Sequence, residues 1–196
     1  MKKFALLLMM FLLTVSSVQA SPVPLTSQSA ESLFEDIEDN FEDLDAEYPY
    51  TVKNFRRTAE LDKEFSNHLK VWACDLNRKN SSSPDGVILF AENDAAEVVE
   101  IYICASLEDL KSMSKKSANK RREEVKTILA VAVLMTFGAL DMTEEEIVAL
   151  SNDMGNDSTQ GSYGIWHDGK YFKFVGGTTE ADDAMLCYIS ATDSED

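Results

Sequence analysis

Histidine is scarce in this chain: His68 and His167 are the only two in 196 residues. A serine or cysteine nucleophile at neutral pH usually relies on a neighbouring imidazole as base, and no Gly-x-Ser-x-Gly elbow is present to hold a serine. Cysteine is almost as rare, with Cys74, Cys104 and Cys187 and no Cys-x-x-Cys pair. Together with the absence of a His-x-x-x-His pair, this argues against a structural zinc site. Glycine occurs eight times. Gly176-Gly177 lacks the further glycines and the lysine of a phosphate-binding loop. No sequence feature calls for a cofactor.

Basic residues are also few, 18 against 35 acids, and the formal net charge is −17. A field of that sign repels nucleic acid and anionic lipid and favours cationic partners. Acids are so abundant that pairs of carboxylates at working distance for hydrolysis are inevitable, so abundance alone assigns none of them. The acids of residues 153–157 lack the alternation and central glycine of an EF-hand loop, and no metal ligands are assigned.

No apolar run is long enough to span a bilayer, which takes roughly 20 residues. The two longest are residues 4–15 and 128–140. The first follows Lys2 and Lys3 and precedes the small and polar residues 16–20, with Val18 and Ala20 before the expected cut. This is the tripartite pattern of a cleavable export signal. Cleavage would start the mature protein at Ser21 and, by removing two lysines and no acid, leave a net charge of −19. The expected location is therefore the periplasm or the exterior, with no stable membrane insertion after cleavage. The run 128–140 reads as a buried helix. Asn80-Ser81-Ser82 and Asn156-Asp157-Ser158 match the glycosylation acceptor pattern, which arises often by chance.

The remainder is long enough for one domain. Residues 21–28 read as a flexible leader. Leu33, Phe34, Ile37, Phe41 and Leu44 then recur at helical spacing, and nine of the seventeen residues from 31 to 47 are acidic with none basic. This predicts an acidic amphipathic helix within a segment 21–50, stopped by Tyr48-Pro49.

A second, long helix is expected over residues 51–79. Thr58, Leu61, Phe65, Leu69, Trp72 and Leu76 form its stripe, with His68 at the edge. Six positions fit the helical period, against three for a strand over the end of the segment. On that helix Cys74 falls on a basic face with Lys63, Lys70 and Arg78, where its thiol would be free and activated. On a strand it would instead be buried beside Trp72 and Leu76.

Turn formers fill residues 80–86, and strands are expected over 87–91 and 98–104, forming a hairpin. Ser106 opens a helical region, basic from Lys111 to Lys126 and apolar over 128–140, with a break near residues 114–119. Thr143 and Glu146 have capping-box spacing for a short helix over 144–152. Residues 153–162 read as a loop. Residues 163–167 and 170–175 flank Asp168-Gly169, a type I′ hairpin signal that places His167 at the turn. A last strand covers 185–190, and an acidic tail follows at 192–196.

The elements come in blocks with short strand connections. That order predicts an α+β fold over residues 51–191, with an antiparallel sheet of about five strands, two central and three C-terminal, and helices on one face. In an oxidising compartment Cys104 and Cys187, each on a strand, are the candidates for a disulfide.

Function is read from charge segregation. The acidic helix and the basic segment 111–126 either dock on each other or leave the helix as a mobile arm. As an arm it would lay Leu33, Phe34, Ile37, Phe41 and Leu44 into the groove of a protein partner with a basic rim. The expectation is an exported, non-enzymatic interaction protein; a carboxylate-based hydrolase of the same compartment is the alternative.

Overall fold

The structure is a computed structural model that describes residues 23–44, 48–63, 65, 69–81, 83–154, 161–178 and 184–194. The expected export signal and most of residues 153–160 lie outside them, as does His68. Among the described residues three α-helices and seven strands follow in the order α1 (Ala30–Glu42), β1 (Tyr50–Arg57), β2 (Lys70–Arg78), β3 (Gly86–Glu92), β4 (Val98–Ser106), α2 (Lys115–Ala139), α3 (Glu144–Met154), β5 (Gly161–His167), β6 (Lys170–Thr178) and β7 (Ala184–Thr192). All strands pair antiparallel in one sheet ordered β1-β2-β3-β4-β7-β6-β5. Two meanders, β1 to β4 and β5 to β7, therefore meet along the β4–β7 seam.

The fold is α+β with an antiparallel sheet, but the sheet has seven strands and not five. The two extra strands are β1 and β2, which occupy the segment expected as the long helix 51–79. The reason lies in β2. It is flanked by β1 and β3 and buries side chains on both faces: Cys74 and Leu76 on one, Val71 and Ala73 on the other. A strand buried on both sides loses its period-two alternation, and its apolar run then imitates a helix. Six helical matches were coincidence of spacing.

The larger of two apolar clusters joins Leu33, Ile37 and Phe41 of α1 and Val125, Ile128, Leu129 and Phe137 of α2 to one sheet face through Leu76, Ile88, Phe90, Ile101, Ile103 and Ile189. The opposite face carries Val71, Ala73, Leu89, Tyr102, Cys104, Leu186 and Tyr188, with Phe65 from the β1–β2 connection packed on them. Phe65 meets the Tyr102 ring edge-on at 5.2 Å.

Local signals place the helix ends. The Ser29 side chain accepts the Ser32 amide at 3.2 Å and opens α1. Ser114 does the same for Ser117 and opens α2, so the break expected near residues 114–119 falls inside a continuous helix. The interruption lies earlier, in a 3₁₀ turn at Glu108–Ser112, and Ser106, expected to open a helix, instead ends β4. Asp141 in the left-handed region (φ 61°) ends α2. Asp168 (φ 47°) and Gly169 (φ 75°) both adopt the positive φ that a type I′ turn requires. Residues 23–28 do not behave as a flexible leader. Leu25 donates its amide to the Val98 carbonyl at 2.8 Å, Val23 donates to Ala191 at 3.1 Å, and the Lys170 ammonium donates to the Pro24 carbonyl at 2.8 Å.

Candidate functional site

The stripe of α1 is part of the core. Leu33, Ile37 and Phe41 are fully buried, Phe34 is buried, and Leu44 packs half-buried against the same cluster. Phe34 stacks on Phe55 at 4.9 Å, and Phe55 stacks on Trp72 at 5.3 Å. The Asn40 amide donates to the Met135 carbonyl of α2 at 3.1 Å, and a Cβ at Gly138 would stand only 3.2 Å from that amide. Glycine there is what lets the two helices close. The five residues expected to enter a partner's groove are thus turned into their own domain.

What α1 leaves outside is its acids. Glu31, Glu35, Asp39 and Glu42 are exposed. Partial burial first, then the like charges of Glu42, Asp39 and Glu35, push the Glu38 carboxyl above its ordinary value. Among the described residues, no lysine or arginine forms an ion pair with an acid of α1.

Much of the basic half of α2 spends its charge elsewhere. Arg121 reaches the buried Asp85 at 2.7 Å and Asp109 at 3.3 Å. Arg78 grips the same Asp85 with Nε at 3.2 Å and Nη2 at 3.1 Å, while its backbone amide donates at 3.2 Å. Burial alone would raise the Asp85 carboxyl, but the hydrogen bonds and charges of the two arginines hold it below its ordinary value. Lys120 pairs with Glu124 and Lys126 with Glu123. The basic segment therefore ties α2 to the β2–β3 hairpin through Arg121, while α1 and α2 meet through apolar contacts and the Asn40–Met135 hydrogen bond.

The second concentration of chemistry lies on the sheet face away from α1 and α2. Glu100 of β4 accepts the Tyr102 hydroxyl on Oε2 and the Tyr188 hydroxyl on Oε1, both at 3.0 Å. Desolvation raises the Glu100 carboxyl above its ordinary value despite these two bonds. Burial also raises both phenols, so they stay protonated donors. Register aligns Glu100 with the buried Ser190 and then with Lys173 across β4, β7 and β6. One row further out stand Tyr171 and the half-exposed Trp166, their rings 5.5 Å apart. Sequence reasoning passed over Glu100 because it was one acid among 35; its place between two apolar residues of a strand was the available signal.

The cysteines are three buried free thiols. Cys74 does not sit on a basic helical face; it is on β2 and fully buried, and burial, its largest influence, raises its thiol far above the reactive range. Cys104 and Cys187 occupy neighbouring strands but opposite faces, Cys104 across from Leu186 and Cys187 across from Ile103. The expected bridge does not form, because a disulfide needs its Cβ atoms to point at one another. Burial pushes the Cys187 thiol up to about 12.

His167 is half-buried, with Nδ1 3.0 Å from Glu146 Oε2. Glu146 is already engaged, accepting the Thr143 amide at 2.8 Å while its own amide donates to Thr143 Oγ1 at 3.3 Å. This is the capping box of α3 with a histidine clamped onto it. Among the described residues no group of three or more His, Cys, Asp or Glu side chains is placed to hold a metal ion. No described helix is long and apolar enough to cross a membrane.

Set against protein-family models, curated proteins and solved structures, the chain matches none of them.

Proposed function

We propose that this chain is an exported, non-enzymatic interaction protein whose partner presents a basic surface to the outer face of α1. Export is supported by the tripartite pattern of residues 1–20. One observation carries the interaction. The acids of α1 crowd its outer face, where partial burial and then the like charges of Glu42, Asp39 and Glu35 raise Glu38, while basic side chains of α2 pair with Asp85, Asp109, Glu123 and Glu124. A cationic partner would relieve that repulsion, and it would be steered to the site by the charge of the whole chain. The helix acts as a docked acidic surface and not as a detachable arm.

The test is capture from the source's exported fraction with the mature protein and with a triple variant, Glu35→Lys, Glu38→Lys and Glu42→Lys, checked for native circular dichroism. The same protein should be retained by the wild type at low salt, released at high salt, and lost with the variant. Equal capture by both proteins would remove α1 from the interaction.

A second reading, a carboxylate-based hydrolase, is favoured by Glu100, whose desolvated carboxyl held by two phenols suits a general acid. Glu100→Gln should abolish any hydrolysis found with glycoside and ester substrates; unchanged turnover would end this reading.

A further inference from the structure

The sheet has two edges, and they are built differently. At one end, β1 carries Lys53, Arg56 and Arg57, has a register shift between Lys53 and Arg56, and places Asn54 in the left-handed region at φ 59°. Edge charges and a bulge are the devices by which a strand avoids pairing with another chain. At the other end β5, Gly-Ser-Tyr-Gly-Ile-Trp-His, has no lysine, arginine, proline or bulge. Gly161, Ser162 and Trp166 are exposed, Trp166 at 48%. Among the described residues only β6 pairs with it.

The hairpin geometry fixes which backbone groups this edge offers. His167 and Lys170 close the two-residue turn and form a hydrogen-bonded pair, so Ile165, Tyr163 and Gly161 also direct their backbone groups toward β6. The N–H and C=O groups of Ser162, Gly164 and Trp166 then point outward.

We infer that β5 is the pairing edge of a homodimer, in which β5 of a second copy adds antiparallel across a two-fold axis through Gly164. Three observations select a second copy as the occupant. First, this register overlaps all seven residues and is the one that engages all three outward-facing residues, pairing Gly164 with its counterpart and Ser162 with Trp166 of the other chain. Directly opposed residues share a face, so registers shifted by one residue are excluded. Second, the side chains complement each other. The bulky Trp166 falls opposite the small Ser162, and Tyr163 falls opposite Ile165, an aromatic and β-branched pair that stabilises antiparallel strands. Third, the blunted β1 edge bars the head-to-tail alternative, in which β5 pairs with β1 and the sheet grows without closing. The self-pairing of β5 closes after two copies.

Gly164 at the axis has a visible reason to be glycine. A Cβ there would lie 2.0 Å from the Tyr171 hydroxyl, which rests over it beside Trp166. In the dimer Trp166 and Tyr171 of both copies form one aromatic patch on the face opposite α1 and α2.

Two like-charged chains repel, with a formal charge of −17 each before export. Salt screens that repulsion and leaves backbone pairing intact, so dimerisation should strengthen with salt. The partner capture proposed for α1 responds to salt in the opposite sense, which separates failure of one idea from failure of the other.

The experiment is sedimentation equilibrium of the full mature chain, from low micromolar to near-millimolar, in low and in high salt. A monomer–dimer equilibrium that tightens with salt is expected. Trp166→Lys and Ser162→Lys, each checked for native circular dichroism, should weaken it at least tenfold, while Lys53→Glu on β1 should leave it unchanged. Amide exchange should show concentration-dependent protection at Ser162, Gly164 and Trp166. A chain that stays monomeric throughout, or dimerises equally well with both lysine variants, would overturn the inference.

Discussion

The Glu92 carboxylate, at the end of β3, accepts the backbone amide of Ala30 at 2.9 Å, across 62 positions of sequence. Glu92 is buried, and Ala30 is the first residue of α1, so the acid meets the positive end of the helix dipole where unpaired amides are concentrated. This bond, with the buried stripe behind it, makes α1 an integral layer of the domain.

Removal of α1 should therefore unfold the protein and not merely free it of an arm. Glu92→Ala should cost about 1–2 kcal/mol, in the range of a lost helix cap. Ile37→Ala should cost about 2–5 kcal/mol, as a large side chain leaves a cavity. Urea denaturation followed by circular dichroism measures both. A stable, cooperatively folding fragment lacking residues 23–44 would contradict the docked position.

The Asp85 network should be the most sensitive polar site. Asp85→Ala leaves Arg121, itself largely buried, without its 2.7 Å partner. The expected loss is about 3 kcal/mol, the low end for breaking a buried pair because Arg78 is half exposed and can be solvated again. Asp85 has a folded value below its ordinary 3.8, so its contribution is present above that value and is lost as pH falls through the folded one. The gap between wild type and Asp85→Ala should close on acidification below 3.8.

Glu100 has the opposite sign. Its folded value lies above 4.5, so ionising it in place is unfavourable, and that penalty is present at neutral pH and relieved as pH falls through the raised value toward 4.5. Glu100→Gln removes the charge and keeps a hydrogen-bonding group between Tyr102 and Tyr188. The stability of the variant relative to wild type should rise between pH 4 and pH 7, read from urea midpoints at each pH. A difference independent of pH would mean that Glu100 is not desolvated.

All three thiols should resist a thiol reagent in the folded protein and react fully in denaturant, without prior reduction. Burial on both sheet faces blocks access, and protonation adds to it, with Cys187 held at about 12. Rapid labelling of one thiol in native protein would place that cysteine at the surface.

Local chemistry made a good part of this fold legible. Asp168-Gly169 sits in a type I′ turn, and Thr143 and Glu146 form a capping box, because each signal acts within four residues of itself. The misreading of residues 51–79 came from β2, where burial on two faces erases alternation. The candidate sites were less legible still. The stripe of α1 looks the same whether it is buried by its own sheet or by a partner, and Glu100 acquires its character only from Tyr188, 88 positions away.

By itself the sequence determined the acidic charge, the export pattern, the helical period of α1 and the turn between β5 and β6, since these follow from composition and from neighbours in the chain. Tertiary structure alone decided that Cys104 and Cys187 face apart, that Arg121 serves Asp85 and not α1, and that β5 is left at an edge without charge or bulge. Those outcomes depend on strand register and strand order, which arise from pairing between segments far apart in sequence.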